Sequence, residues 1–316
     1  MLETYIVTGG AGFIGSHLTE RLLKDGHRVR IIDDLSTGKR ANIAHLSGDL
    51  EIYEVSIANR DALPVIFKDA DYVFHQAALA SVPRSVADPV ETNDANVNGT
   101  LNVLVAARDA GVKRVAYAAS SSAYGEVTTE IQSETMQPHP LSPYGVSKLA
   151  GEYYCQAFTQ VYGLETVALR YFNVFGPRQD ETSAYAAVIP KFIASMMEGK
   201  SPTIYGDGEQ TRDFTYVANV VDGVLRACTA AGASGEVINV ATGGRISLNT
   251  LFTTIRDLVA AKVEPVYAPA RAGDVTDSQA DISKARRILR YEPSVSFEEG
   301  LARTVAWYRD SHVTVA

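Results

Sequence analysis

A chain that runs from a short apolar strand into Gly9-Gly10-Ala11-Gly12-Phe13-Ile14-Gly15, and then into an amphipathic helix, has few folds open to it. Thr4 to Thr8 reads as the strand, the helix runs to about Lys24, and Arg28 to Asp33 reads as a second strand. Gly10, Gly12 and Gly15 give G-x-G-x-x-G in the setting that the spacing needs: strand, glycines, helix, strand. Glycines there let the backbone close on a pyrophosphate, whose charge then rests on a helix N-terminus. Tight strand-to-helix turns also use glycine, so the glycines alone are a weak signal. Asp33 makes it a strong one, because it ends the second strand 33 − 15 = 18 residues past the last glycine. A carboxylate there accepts hydrogen bonds from ribose hydroxyls and repels a 2′-phosphate, which favours NAD over NADP.

The alternation continues. Strands are expected near Glu51–Val55, Tyr72–His75, Val112–Ala119 and Thr166–Phe172, with helices between them. Strands alternating with helices predict an α/β fold, a Rossmann-type doubly wound parallel sheet whose ligands bind beyond the carboxyl ends of the strands. Asp33, Gln76, Ser120 and Asn173 all fall at such ends, which argues for one site. Beyond about Phe175 the units shorten. Tyr185–Met197 reads as a helix, Thr203–Asp207 as a strand, Phe214–Ala230 as strand then helix, and Val237–Val240 as a strand. Ser247 caps a helix to about Ala261, Val266–Ala268 is a short strand, and Ile282–Leu289 and Phe297–Arg309 are helices. The expected division is a dinucleotide-binding domain over 1–175 and a smaller mixed α/β substrate lobe over 176–316. Parts of 214–242 are candidates to rejoin the first domain.

Chemistry concentrates between Tyr117 and Lys148. An apolar strand ends in Ser120-Ser121-Ser122, and after a loop rich in Pro and Ser a helical pattern opens with Ser142 as N-cap and Pro143 at the first position. Tyr144 and Lys148 are four apart and share a helix face. A cation beside a phenol is expected to lower the phenol pKa from about 10 towards neutrality. Hydroxyl, phenol and ammonium together suit proton removal from an alcohol undergoing oxidation. A Tyr–Lys pair at this spacing is by itself most often a solvated pair; the glycine loop upstream is what raises it above that.

Of 316 residues, 29 are Lys or Arg and 37 Asp or Glu, a net charge of −8 that argues against nonspecific nucleic-acid binding. An anionic substrate then needs locally placed arginines, and Arg212 and Arg271 flank segments able to meet over the cofactor; the plain alternative is that both are surface residues. Planar guanidinium groups suit a nucleotide diphosphate. The two cysteines, Cys155 and Cys228, are far apart and outside any CxxC, so buried thiols in a reducing compartment are expected and a metal site is not. The first residues carry no signal-peptide pattern, and no stretch is long and apolar enough for a bilayer, so the expected location is the cytoplasm, with no membrane partner.

The ordered segments TGGAGFIG, IIDDLSTG, HQAA, SSSAYG, SPYGVSK, RYFNVFGPRQ and GDGEQTRDF resemble the extended short-chain dehydrogenase/reductase superfamily, in particular its nucleotide-sugar 4-epimerases. HQAALASVPRS, YAAVIPK, GGRISLN and ADISKA look most like the UDP-N-acetylglucosamine 4-epimerase branch, and the resemblance covers nearly the whole chain. It implies an isomerase with bound NAD and a UDP-sugar substrate. Tyr144 would be the base, Lys148 would hold the ribose and lower the Tyr pKa, and Ser120 would bond the sugar O4, with Ser122 able to share that role. Gly9, Gly12, Phe13, Ile14, Gly15, Asp33, Asp34, Leu35, Ser36, Thr37 and Gly38 resemble dinucleotide-binding positions. So do Ser56, Ile57, Gln76, Ala77, Ala78, Ala80 and Phe172. Asn173, Ala187, Val188, Tyr205, Arg212 and Arg271 match UDP-sugar contacts, and Ser81 and Arg84 lie where sugar-side contacts fall.

Four serines refine this. Ser56 stands where many relatives carry an Asp that meets the adenine amino group, which implies weaker adenine recognition and the same cofactor. Ser121-Ser122 stand where dehydratases of the family carry Asp-Glu, and two serines cannot supply the acid and base that loss of water requires. Ser278 falls beside the sugar C2, where a small residue admits an N-acetyl group and a tyrosine excludes it. The implied activity is UDP-hexose 4-epimerisation through a 4-keto sugar, with UDP-N-acetylhexosamines accepted. The alternatives are a nucleotide-sugar dehydrogenase or reductase and a UDP-uronic-acid 4-epimerase. Homodimer formation through the helices near Asn96–Ala110 and Ser142–Tyr162 is the family habit.

Overall fold

A computed structural model describes residues 2–125, 131–181, 187–270 and 277–313. Six strands and one latecomer make the main sheet: β1 (Thr4–Thr8), β2 (Arg28–Asp33), β3 (Leu50–Glu54), β4 (Tyr72–His75), β5 (Arg114–Ser120), β6 (Glu165–Tyr171) and, far along the chain, β11 (Val237–Val240). Their order is β11-β6-β5-β4-β1-β2-β3, and every neighbouring pair is parallel. A parallel sheet covered on both faces needs strands apolar throughout. β5 and β11 are buried at every position.

One face carries α1 (Phe13–Lys24) and α8 (Val217–Thr229), which bury Leu18, Leu22, Val220 and Val224 against Val7, Ile31 and Leu169. The other carries α2 (Leu63–Phe67), α5 (Gly99–Asp109) and α6 (Pro143–Tyr162), with Phe67, Val103 and Phe158 against Ile6, Val73 and Val115. Each fully buried side chain of this size contributes roughly 1.5–3 kcal/mol relative to exposure. Between β4 and α5 run two short helices, α3 (Val82–Ala87) and α4 (Pro89–Asn93), and a π-helical turn over Asp94–Asn98.

The smaller lobe packs α7 (Val188–Met197), α9 (Leu248–Val259) and α11 (Phe297–Val313) around Phe192, Ile193, Phe252, Ile255 and Leu301. Around this core lie β8 (Thr203–Tyr205) paired with β13 (Val266–Ala268), β9 (Thr211–Arg212) with β12 (Ile246–Ser247), and β10 (Thr215–Tyr216) with β7 (Val174–Phe175). α10 (Ser283–Leu289) returns to the first sheet through Ala285 and Leu289.

Four expected strands shift at their ends, β3 and β6 by one residue and two others by two. The expected Val112–Ala119 strand runs from Arg114 to Ser120, because Gly111 (φ +70°) and Val112, whose N–H donates to Ala107, still close the end of α5. The expected Thr203–Asp207 strand stops at Tyr205, where Gly206 turns the chain at φ +82°.

Candidate active site

Ser142 caps α6 by accepting the Gly145 N–H at 3.1 Å, and Pro143 occupies the first turn. This start sets Tyr144 and Lys148 on the inner face, over the carboxyl end of β5. The Ser120 hydroxyl donates to Ser122 Oγ at 3.1 Å and accepts the Ser122 N–H at 3.1 Å, and it stands beside the Tyr144 phenol. Lys148 is buried, its ammonium donating to the Ala118 carbonyl at 2.8 Å and standing 5.1 Å over the Tyr117 ring. Hydroxyl, phenol and ammonium are therefore brought together.

Their electrostatics differ from the expectation drawn from spacing. Desolvation pushes the Tyr144 phenol above its ordinary range, and only the Ser120 hydrogen bond pulls it back; Lys148 contributes nothing resolved to it. Burial pulls Lys148 itself down to about 8, with Glu152 one turn on opposing that fall. Burial thus weakens the cation and raises the phenol. Spacing on a helix sets which way two groups face, and not how much water they lose.

The glycine loop fits a dinucleotide on its own geometry. α1 begins at Phe13 with no side chain capping it, so its first-turn amides are open to an anion. Gly9 sits at φ +67°, and a Cβ there would stand 2.7 Å from the Ala77 nitrogen. A Cβ on Gly15 would come within 2.1 Å of the Gly9 carbonyl oxygen. Asp33, buried, accepts the Ala11 and Leu35 amides at 2.9 Å each, tying the glycine loop to Asp34–Gly38. Gln76 offers a buried amide nitrogen with no partner, its oxygen accepting Tyr171 at 3.2 Å. Ala77 and Ala78 follow it beside Gly9, and Ala80 is exposed. The Ser56 hydroxyl accepts the Ala58 amide at 3.2 Å, and Ile57 is buried beneath α5.

A second set gathers around Asp213. This fully buried carboxylate accepts from Thr242 N (3.0 Å), Thr242 Oγ1 (2.6 Å), Gly243 N (2.8 Å) and Ala280 N (3.3 Å). Its own carbonyl accepts from Asn173 Nδ2 at 3.3 Å, Arg212 precedes it, and the Ser278 amide donates to Thr211 at 3.1 Å. Asn173 and Ser278 are thus tied through backbone carbonyls to the Thr211–Asp213 segment that carries Arg212, and Ser278 is buried. Ala187 and Val188 open α7, and Tyr205 ends β8. Other expected residues are engaged elsewhere. Arg84 forks onto Glu91 at 2.7 and 3.2 Å, Ser81 caps α3 through the Arg84 amide, and Phe172 packs against Tyr124 and Ala241. Arg271 lies outside the described residues.

Spacing did not single out Asp213, His75 or Glu152. His75, buried, bonds Thr8 Oγ1 at 2.7 Å and Thr100 Oγ1 at 2.9 Å; Thr8 Oγ1 in turn accepts the Ala77 amide at 3.1 Å. Since Thr100 donates to Asn96 at 2.5 Å, Nε2 carries the ring proton and Nδ1 accepts. Burial holds His75 down at about 3, so it stays neutral and the chain of bonds keeps one direction. An ionisable residue closing the apolar run YVFH was the available signal.

The chain matches the family model of the NAD dependent epimerase/dehydratase family over residues 5–241. A UDP-glucose 4-epimerase of Mycolicibacterium smegmatis is 41% identical over 96% of this chain and 98% of its own length. The structure of a UDP-N-acetylglucosamine 4-epimerase from Methanobrevibacter ruminantium M1, in complex with UDP-N-acetylmuramic acid, superposes with a TM-score of 0.94 at 43% identity, covering 98% of this chain and 100% of that one. A UDP-glucose 4-epimerase of Thermotoga maritima with UDP-glucose gives 0.93 at 40% identity, over 98% and 99%. The similarities extend to a UDP-glucuronate 4-epimerase of Thermodesulfobacterium geofontis, 36% identical over 97% of this chain and 96% of its own length.

Proposed function

Because the chain belongs to the NAD-dependent epimerase/dehydratase family, we propose that it is a UDP-hexose 4-epimerase that works through a 4-keto sugar and accepts UDP-N-acetylhexosamines as well as, or in preference to, UDP-glucose and UDP-galactose. The observation that carries this is the Ser120 hydroxyl beside the Tyr144 phenol at the end of β5, with the buried Lys148 ammonium one turn along the same helix. Full-length likeness to proteins named 4-epimerases supports it.

The glycine loop, Asp33 and the unpaired Gln76 amide would hold NAD. When bound, that cofactor would supply a hydride acceptor and donor for C4 and a positive ring that favours an ionised Tyr144. Tyr144 removes the O4 proton and gives it back, while Ser120 fixes the O4 oxygen. Arg212 pairs with the UDP phosphates. Ser121 and Ser122 offer no acid or base for loss of water, which supports epimerisation over dehydration. Ser278 is small and leaves space beside C2. A uronic-acid substrate is supported by the names of several relatives, but Arg84, the described arginine considered for its carboxylate, is held by Glu91.

The enzyme would work as a homodimer in the cytoplasm. Val146, Tyr153 and Val161 along α6 are 54%, 56% and 70% exposed, an apolar row that supports pairing of two copies there. Both cysteines are buried free thiols, which suits a reducing compartment.

Proton NMR of purified protein with UDP-N-acetylglucosamine and no added cofactor should show UDP-N-acetylgalactosamine. Conversion of UDP-glucose alone would keep the epimerase and remove the Ser278 argument; no conversion of either would overturn the proposal. Turnover should also carry an alkaline limb near pH 8. Lys148 is an ammonium below its folded value of about 8 and is lost above it, so activity falls as pH rises through that point. Stability runs the other way: between about 8 and the ordinary lysine value the unfolded chain binds more protons, so this group's burial penalty is relieved as pH rises. A profile flat to pH 10 would remove the ammonium from the mechanism.

A further inference from the structure

Glu152 and Arg170 form a buried ion pair that the proposed chemistry leaves unused. Glu152 follows Lys148 by one turn on the inner face of α6, and Arg170 reaches it from β6. Both oxygens are taken: Arg170 Nε donates to Oε1 at 2.9 Å and Nη2 to Oε2 at 2.7 Å, with side-chain exposures of 3% and 2%. The guanidinium also lies 4.4 Å over the Tyr124 ring.

We propose that Glu152, pinned by Arg170, is a positioning residue that keeps Lys148 charged and directed at the catalytic surface. The charges make the case. In the buried layer, two cations stand against one carboxylate, a surplus of one positive charge, which an ionised Tyr144 would cancel. Without Glu152 two cations would be buried uncompensated, and the lysine is the one that can shed its proton. Without Arg170 the carboxylate would be free to capture the ammonium one turn away. The forked geometry prevents that capture, and the ammonium instead bonds the Ala118 carbonyl.

The other groups facing Lys148 do not substitute for Glu152. From α6, Cys155 is a buried thiol pushed well above its ordinary range, and Tyr144 is a neutral phenol. From β5 come the Tyr117 ring and the Ala118 carbonyl, and from β4 the neutral His75. Ser120 and Ser122 carry no charge. Glu152 heads the influences that hold the ammonium's proton, and desolvation opposes it.

The inference rests on the proposed function only in taking Tyr144 and Lys148 as the site, and its test requires no turnover. Lysine carbon-13 labelled at Cε is titrated by NMR in the purified protein, the Lys148 signal being the one missing from Lys148→Met. Glu152→Gln should lower the Lys148 midpoint by about one pH unit, tenfold in proton affinity. Arg170→Met should raise it by a similar amount, and the double variant, which loses both charges, should return it close to the parent. If Glu152→Gln fails to fold, the comparison of Arg170→Met with the double variant still isolates the carboxylate. Equal midpoints in that comparison, or a parental midpoint in folded Glu152→Gln, overturn the inference. Shifted midpoints in a protein that does not epimerise would overturn the proposed function alone.

Discussion

Tyr144→Phe should lower turnover by about 10²- to 10⁴-fold, the range that one positioned proton-transfer group supplies. The substitution keeps the ring, and the helix start is fixed by backbone and cap bonds that it does not touch: Gly145 N–H to Ser142, and Tyr144 N–H to Ser85 Oγ at 3.0 Å. Nucleotide binding should therefore stay within a few-fold of the parent, since the glycine loop and Asp33 are remote from the lost hydroxyl. Turnover followed by NMR and UDP affinity by calorimetry separate the two. A variant keeping more than about a tenth of parental turnover is inconsistent with a group of that kind, and Tyr144 would be removed as the base.

Gly15→Ala should empty the cofactor site. In a helix this substitution ordinarily stabilises by up to about 1 kcal/mol. Here the new methyl would stand 2.1 Å from the Gly9 oxygen and 2.9 Å from the Gly10 Cα, both backbone atoms that cannot swing aside. The loop must move, and overpacking on this scale costs about 1–3 kcal/mol or more. Taken from cofactor binding, that is roughly ten- to hundredfold in affinity. NAD released by denaturing the purified variant should be a small fraction of the parent's, with a lowered midpoint of thermal unfolding. A full complement of NAD at unchanged stability would show that the loop yields more easily than its geometry implies.

The strands legible in advance were those decided by their own residues. Thr4–Thr8, Arg28–Asp33, Tyr72–His75 and Val237–Val240 coincide with expectation because each is rich in β-branched or aromatic residues, the first three also ending in a polar one. The two-residue strands β7, β9 and β12 carry no such pattern; they exist only because distant partners meet them. The same divide runs through the site. Ser120, Tyr144 and Lys148 sit on a strand end and a capped helix, which local chemistry announces. Asp213 and Glu152 are defined by what folds over them, Thr242 to Ala280 in one case and Arg170 in the other, and spacing holds no record of those partners. The misjudged phenol has the same origin: the cation's direction was readable, and its loss of water was not.

The late strand of the main sheet has a consequence for how the chain is made. β6 ends at Tyr171 and its outer neighbour β11 is complete only at Val240, 240 − 171 = 69 residues later. At about 5–20 residues per second, a growing chain would present the bare edge of β6 for roughly 3–14 seconds before the strand that covers it exists. Unpaired strand edges invite pairing with other chains. Over that interval the nascent protein is most exposed to misassembly, and a chaperone shielding residues 165–171 would protect it until synthesis has passed Val240.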